Sequence, residues 1–222
     1  MIKALINGGV FDWIYQTLCM IPGIIIGLSL HEFAHAKIAD MCGDPTPRSM
    51  GRVSVDPRAH VDWFGLISLM LIHFGWGKPV VINPYNFKKR RRDSIFVGFA
   101  GVAMNFVIAT ALGLLMRLAI TSDAVVMFFI RNTAGQVIFD IWLDIIAINY
   151  SLMLFNLIPV PPLDGFGIIS DIFDLRGTKV WQFVYKNSMI ILLIFILFDI
   201  PSILLSKPLN FLVNAVALGR FV

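Results

Sequence analysis

The chain has 222 residues, of which 58% are hydrophobic and 14% are charged, and its mean hydropathy is +0.81. A soluble domain is nearer half apolar and a quarter charged, so this composition indicates a polytopic membrane protein without room for a separate soluble domain. The net charge of +4 does not indicate nucleic-acid binding, because the basic residues cluster beside apolar segments as topology signals and headgroup contacts.

The first predicted span covers about residues 13–39 and contains His31-Glu32-Phe33-Ala34-His35. Residues four apart share a helix face, so both imidazoles can face one ion, with the Glu32 carboxylate within reach of a metal-bound water. This HExxH pattern is typical of a zinc site with a general base. Gly23 and Gly27 precede the histidines at the same four-residue step. Small residues favour close helix packing, so this face is predicted to turn inward, away from lipid.

A different pattern follows the first span. Residues 51–56 alternate like a strand, and residues 75–83 are predicted to form a strand interrupted by glycine. Between them, the apolar run 63–74 is too short to cross a membrane as a helix. Extended backbone at membrane depth is tolerated only against protein or water. We therefore expect a small re-entrant, β-containing segment over about residues 48–83, packed beside the active site.

Three further spans are predicted at about residues 94–120, 136–158 and 187–205, the last broken near Pro201. The tail 206–222 is expected to form an interfacial helix. The predicted fold is an all-α polytopic membrane protein, a helical bundle of about four to five transmembrane helices. Residues 1–222 form a single membrane-embedded domain in this prediction.

The charged loops predict an orientation. Residues 40–93 and 165–186 are rich in Lys and Arg, whereas 121–135 contains only Arg131. The positive-inside rule places both basic regions in the cytoplasm and both termini outside. About 27 Å of helix separates Trp13 from His31 at about 1.5 Å per residue, so the HExxH motif is expected near the cytoplasmic side.

A catalytic zinc takes three protein ligands and keeps a fourth position for water, so the two histidines need one more ligand. Asp164 is the best candidate, because it follows the third span at the same level, between prolines that prevent helix and a glycine that permits a turn. Other ionisable residues remain alternatives: Asp40, Asp44, His60 and His73. The two cysteines have neither a disulfide framework nor metal-type spacing and are expected to be unpaired thiols: Cys19 and Cys42.

Several motifs together resemble the site-2 protease family of intramembrane zinc metalloproteases, over about residues 25–170. They are the HExxH motif, the basic Gly-Arg-Val loop, Gly75-Trp76-Gly77-Lys78-Pro79-Val80, Ala100-Gly101 with Asn105, and the run from Asn156 through Pro159-Val160-Pro161-Pro162-Leu163 to Asp164-Gly165. The chain is similar to the small members that have neither a PDZ domain nor a cystathionine-synthase-type (CBS) regulatory domain.

The resemblance implies that His31, His35 and Asp164 bind one Zn²⁺ ion and that Glu32 is the general base. It also implies that Asn156 helps hold the substrate backbone extended and that Asn105 lines the site as a second substrate-binding residue. Val102 stands where the family usually has proline in the Asn105 motif. Without the resemblance, both asparagines can also be interpreted as buried amides that hydrogen-bond between helices, although substrate contact is favoured for Asn156.

The predicted function is a zinc-dependent intramembrane endopeptidase that cleaves transmembrane segments of membrane proteins, as in regulated intramembrane proteolysis. Glu32 would activate a zinc-bound water, and the partners would be a single-span membrane protein and the bilayer of a prokaryotic cell membrane, with no nucleic acid. The alternative is a non-catalytic membrane metal-binding protein or a metal transporter. A transporter favours paired inverted halves, which the sequence lacks, and a non-catalytic relative would usually lack the Glu32 base.

Overall fold

The computed structural model describes residues 9–72 and 75–219. Its helices, numbered in chain order, are α1 Gly9–Cys42, α2 Thr46–Ser49, α3 Pro57–His60, α4 Trp63–Ile72, α5 Arg90–Ala119, α6 Asp123–Arg131, α7 Thr133–Asn156, α8 Asp164–Ile172, α9 Lys179–Lys186, α10 Ser188–Leu197 and α11 Ile200–Val213. A 3₁₀ turn at Pro84–Asn86 precedes α5, and a π-helical turn at Asn214–Leu218 extends α11.

Four helical segments are long and apolar enough to cross a membrane: Gly9–Cys42, Arg90–Ala119, Thr133–Asn156 and Ile200–Leu218. The pair α9 and α10, bent by 65°, gives a fifth if it is counted as one span. The predicted all-α bundle of four to five membrane helices is therefore confirmed, and the chain is an integral membrane protein. The first three membrane-length helices, α1, α5 and α7, begin three or four residues earlier than predicted.

The centre of the bundle is formed by α1, α5 and α7. Buried Met116 from α5 packs with Ile146 and Tyr150 from α7 in the main apolar cluster. Gly23 and Gly27 of α1 bring that helix close to α7: a Cβ atom at Gly23 would lie 3.1 Å from the Ile145 Cα atom and 3.2 Å from the Asp144 carbonyl oxygen. The predicted inward orientation of this glycine face, which His31 and His35 continue, is confirmed.

The predicted β structure between the first two spans is wrong. Over residues 48–72 and 75–83 the structure has no strand, only an isolated antiparallel bridge between Val61 and Gly77. The physical reason is that extended backbone groups of residues 77–83 bond to side chains and single carbonyls instead of a neighbouring strand. The apolar run forms the 10-residue helix α4, consistent with a segment too short to cross, while residues 73 and 74 lie outside the described residues.

The predicted fourth span, residues 187–205, has the wrong bounds, although the predicted break near Pro201 is present. Helix α10 ends at Leu197, and Asp199 adopts a left-handed φ of 52° before α11 begins at Ile200. Pro201 therefore lies in the first turn of α11, where proline is tolerated, and does not break the helix. The helix continues to Leu218 as part of a membrane-length segment, so residues 206–218 do not form the separate interfacial helix that was predicted.

Two segments predicted as loops contain helices. The connection 121–135 contains α6, and the loop 165–186 contains α8 and α9. Their hydrophobic and polar residues alternate at helical spacing, and the Thr178 side chain caps α9 by accepting a hydrogen bond from the Trp181 N–H at 3.1 Å. The Arg91 guanidinium at the start of α5 donates to the carbonyls of Asp171 and Ile172 at the end of α8. The two basic regions consequently lie at the same end of the bundle.

Candidate metal centre and active-site cavity

Three side chains from two distant parts of the chain converge at one point. Their ligand atoms are His31 Nε2, His35 Nε2 and Asp164 Oδ2. The two nitrogens are 3.0 Å apart, and the carboxylate oxygen is 3.1 Å from His31 Nε2 and 3.2 Å from His35 Nε2. Both histidines are buried in α1, while Asp164 is the first residue of α8. Among the described residues this is the one group of three or more His, Cys, Asp or Glu residues with ligand atoms close enough to share an ion.

The opposite nitrogen of each imidazole is held by a carbonyl oxygen. His31 Nδ1 lies 2.5 Å from the Asn105 Oδ1 atom, and His35 Nδ1 lies 2.7 Å from the Val97 carbonyl oxygen. Carbonyl oxygens accept hydrogen bonds, so both Nδ1 atoms carry the proton and both Nε2 lone pairs face Asp164. This tautomer and this outer hydrogen bond are typical of metal-bound histidine.

Helix α5 approaches the two imidazoles at Gly101. A Cβ atom there would lie 2.4 Å from His35 Nε2 and 2.5 Å from His31 Nε2. These distances are far inside van der Waals contact, so any side chain at this position would occupy the space between the ligand atoms and α5. Only glycine leaves that space open.

The donor set fits zinc. Two neutral imidazole nitrogens and one carboxylate oxygen form a common catalytic zinc set, with the fourth position open. Ligands at about 2.0–2.2 Å in tetrahedral geometry are separated from each other by roughly 3.3 Å. The observed separations of 3.0–3.2 Å between ligand atoms approach that value.

Glu32 lies beside the histidine pair, and a backbone amide orients its carboxylate. Glu32 Oε2 accepts a hydrogen bond of 2.9 Å from the Val80 N–H. This contact crosses from α1 to the extended segment between α4 and α5. One carboxylate oxygen is thereby held, and the other has no hydrogen-bond partner among the described residues.

A cavity of about 420 Å³ opens in front of these residues. Besides the convergent histidines, Glu32 and Asp164, its walls come from the extended segment, from α5, from the end of α7, and from α8 and α9. The wall residues include Pro79, Val80, Ile82, Asn156, Arg176, Trp181 and Tyr185. Asn156 faces this cavity and donates through Nδ2 to the Leu152 carbonyl of its own helix at 3.0 Å, so its predicted contact with substrate stays a prediction.

The structure places Asn105 differently from the sequence prediction. Asn105 is fully buried behind His31, where Nδ2 donates to the Asn149 Oδ1 atom at 2.9 Å and to the Gly27 carbonyl at 3.2 Å. All polar atoms of its amide are used inside the bundle, and the residue is not part of the cavity wall. The predicted substrate contact of Asn105 is therefore corrected to an outer hydrogen bond that orients a histidine.

The other predicted ligand candidates have different partners. Asp40 forms an ion pair with Arg48, and Asp44 accepts hydrogen bonds from Thr46, Asn83 and Asn86. The His60 Nε2 atom lies 2.7 Å from the Ser54 carbonyl oxygen, and His73 lies outside the described residues. Cys19 and Cys42 are free thiols, as predicted.

Asp44, just after the end of α1, has a pKa below its usual range. Burial acts in the opposite direction, but hydrogen bonds from Thr46, Asn86 and the Asn83 N–H outweigh it and lower the pKa. Asp44 is therefore a carboxylate at neutral pH.

Sequence reasoning missed four elements of this site. The Gly101 contact and the Val97 carbonyl depend on how α5 packs against α1, and no sequence spacing reveals that packing. The Val80 amide is a backbone group and has no residue signature. Asn149 had a detectable signal, because a buried amide in an apolar span needs a partner on a neighbouring helix.

Comparison with known proteins agrees with this geometry. The model of Peptidase family M50 matches residues 115–198. "Putative zinc metalloprotease YwhC" of Bacillus subtilis is 35% identical over 164 residues, which cover 72% of this chain and 73% of that protein. "Putative zinc metalloprotease Rip2" of Mycolicibacterium smegmatis is 29% identical over 178 residues, covering 75% of this chain and 64% of that protein.

Rip2 of Mycobacterium tuberculosis is 29% identical over 174 residues, covering 76% of this chain and 60% of that protein. The chain thus spans less than two-thirds of either mycobacterial relative but nearly three-quarters of the Bacillus protein. No solved structure matches. With 35% identity over most of both chains, this protein belongs to peptidase family M50, the site-2 protease family of membrane zinc metalloproteases.

Proposed function

We propose that this zinc metalloprotease is an intramembrane endopeptidase that cleaves a transmembrane segment of a single-span membrane protein. The observation that carries the proposal is the convergence of His31, His35 and Asp164 on one point, with Glu32 beside it, in a cavity between membrane-length helices. An ionisable cluster at membrane depth is costly and marks a functional site by default. His31, His35 and Asp164 are the proposed zinc ligands, and Glu32 is the proposed base.

His31, His35 and Asp164 would hold the zinc ion, which when bound would polarise a carbonyl oxygen and lower the pKa of a water molecule to roughly 7. Water adds to the substrate carbonyl carbon, and the C–N bond breaks. Glu32 takes one proton from the attacking water and delivers it to the leaving amine nitrogen. Its Oε2 atom is held by the Val80 N–H, which leaves Oε1 for this transfer.

The substrate helix must unwind locally, since helical hydrogen bonds shield its peptide bonds. Residues 75–83, beside the cavity, are the proposed partner for the unwound segment. Val81 offers a free backbone edge, because neither its N–H nor its carbonyl has a partner among the described residues and its side chain is 52% exposed. Asn156 on the facing wall is proposed to hold the substrate backbone extended. Charge or proline substitutions along 75–83 that left cleavage unchanged would count against this pairing.

The proposed orientation has the metal centre near the cytoplasmic side of a prokaryotic cell membrane and both termini outside. Support comes from the Arg91 contacts with the end of α8, which join the two basic regions at the end of the bundle nearer Asp164. Basic loops are retained on the cytoplasmic side. Labelling of Lys88→Cys from outside intact cells would contradict this orientation.

Glu32→Gln tests the proposed mechanism. The substitution removes the base but keeps the size of the side chain and an oxygen for the Val80 N–H. We expect zinc content to be retained and cleavage of a single-span reporter to fall by about 10²–10⁴-fold. Asp123→Asn, an exposed acid of α6, is the matched control. Retained cleavage in Glu32→Gln would refute the base, and wild-type protein that holds zinc without cleaving any membrane segment would favour a metal-binding protein.

A further inference from the structure

The segment of residues 77–83, here called the strap, runs across the active-site cavity and carries the amide that holds Glu32. We infer that Arg52 and Asp44 are positioning residues that anchor the two ends of the strap and thereby hold the Val80 N–H on the general base. This inference rests on the proposed role of Glu32. Neither residue touches the cavity or the convergent ligand atoms.

Arg52 anchors the first end of the strap. Its guanidinium donates to the carbonyl oxygens of Lys78 and Ala59, the second at 2.7 Å. The Lys78 N–H is held from the same side by the His60 carbonyl oxygen at 2.7 Å. Arg52 forms no ion pair with an acid of the described residues, so its charge is directed at backbone oxygens alone. A planar cation with a fixed fork of donors is suited to joining two backbone segments in one geometry.

Asp44 anchors the second end. Its buried carboxylate accepts from the Asn83 N–H at 2.7 Å and from the Asn86 Nδ2 atom at 2.8 Å. On the other side it accepts from Thr46 Oγ1 at 2.6 Å and from the Thr46 N–H at 3.1 Å. Asp44 follows the end of α1, the same helix that carries Glu32. Asp44 therefore fixes the second end of the strap relative to α1, the helix that carries Glu32.

The spacing of these contacts gives the anchors their effect. Val80 is two residues from the Arg52 contact and three from the Asp44 contact, or about 7 Å and 10 Å along an extended chain. So short a segment has little slack, and displacement of either end moves the Val80 amide. A shift of about 1 Å in a catalytic group can reduce the rate by about 10²-fold. Among the described residues the strap forms no ladder with a neighbouring strand, only the isolated bridge between Val61 and Gly77.

A double-mutant cycle separates positioning from general stability. Val80→Pro removes the amide proton while keeping the chain extended, and Val80→Ala is its reference for loss of the side chain. For Arg52→Gln we expect kcat on a single-span reporter to fall by about 10–100-fold, with KM changed less than kcat and zinc retained. In the Val80→Pro background, Arg52→Gln should lower kcat by less than threefold. Arg52→Lys, which can donate to one of the carbonyls, should recover part of the rate.

Hydrogen exchange of the full-length protein tests the same inference without any substrate. Arg52→Gln should lower amide protection in peptides covering residues 78–83 and leave α1, α5 and α7 protected. Arg58→Gln is the matched control, since Arg58 is 84% exposed and pairs only with Asp56. Unchanged protection of the strap, loss of protection throughout the bundle, or additive losses in the cycle would each overturn the inference. A wild-type protein that cleaves nothing would refute the proposed function, whereas hydrogen exchange would still test whether Arg52 anchors the strap.

Discussion

The ligand atoms and the general base are supported in two different ways. His31 and His35 lie in a packed three-helix centre, where glycines bring the helices into contact and buried carbonyls hold the imidazoles. Glu32 instead depends on an irregular strap held by side-chain contacts at its ends. The positions of the ligand atoms are therefore fixed by the packing of the bundle, whereas the position of the base depends on a few polar contacts.

Gly101→Ala is the substitution expected to disturb the three-helix centre around His31 and His35 most. The new Cβ atom would lie 2.4–2.5 Å from both Nε2 atoms, so α5 or the imidazoles must move. We expect nearly complete loss of zinc and of cleavage, measured as metal content of the purified protein and as reporter proteolysis. The matched control is Gly113→Ala on the same helix, where the new atom meets the Val216 side chain at 2.9 Å. Zinc binding at wild-type level in Gly101→Ala would contradict the close approach of α5.

Asn105→Ala should lower the affinity of the same histidine centre for zinc without adding any atoms to it. The His31 Nδ1 proton then loses its acceptor, and loss of such an outer hydrogen bond typically costs 10–100-fold in metal affinity. Competition with a zinc chelator measures this effect. Thr110→Val, which removes the hydrogen bond to the Tyr150 hydroxyl on the same helix pair, is the control and should leave zinc affinity unchanged. An Asn105→Ala protein that loses substrate binding but keeps its zinc affinity would restore the predicted substrate contact.

The metal centre and the strap also differ in how much of their structure was predicted from the sequence. His31, Glu32 and His35 follow from helical spacing, and Asp164 from a proline-rich turn at the matching depth, because short-range rules govern both. The role of Asn105 and the Gly101 contact require the packing of α5 on α1, which no local pattern encodes. The strap was predicted as a strand from its extended pattern, but the side chains of Arg52 and Asp44 that hold its ends lie more than 25 residues away from their contacts. The break in the fourth predicted span lies at the left-handed Asp199, two residues before the Pro201 that the sequence indicated.

The smallest expected effect is a pH dependence of stability through Asp44, which holds the strap and does not contact the metal centre. The pKa of Asp44 is lowered in the folded protein by hydrogen bonds from Thr46, Asn86 and Asn83, despite burial, while an unfolded aspartate titrates near about 3.9. A lowered folded pKa means that its stabilising contribution is full above about pH 4 and is lost as the pH falls further through the folded value.

Asp44→Asn removes this titration and part of the acceptor set, so at neutral pH we expect a loss of about 1–3 kcal/mol in stability. The difference in thermal midpoint between wild type and Asp44→Asn should be constant from about pH 5 to pH 7 and shrink below about pH 4. Because Asp44 does not contact the histidines, zinc content at neutral pH should be equal in both proteins. A difference that grew as the pH fell would mean that the carboxylate is not the form that holds the strap. Loss of zinc in Asp44→Asn would contradict this separation, because it would mean that the strap also supports the zinc ligands.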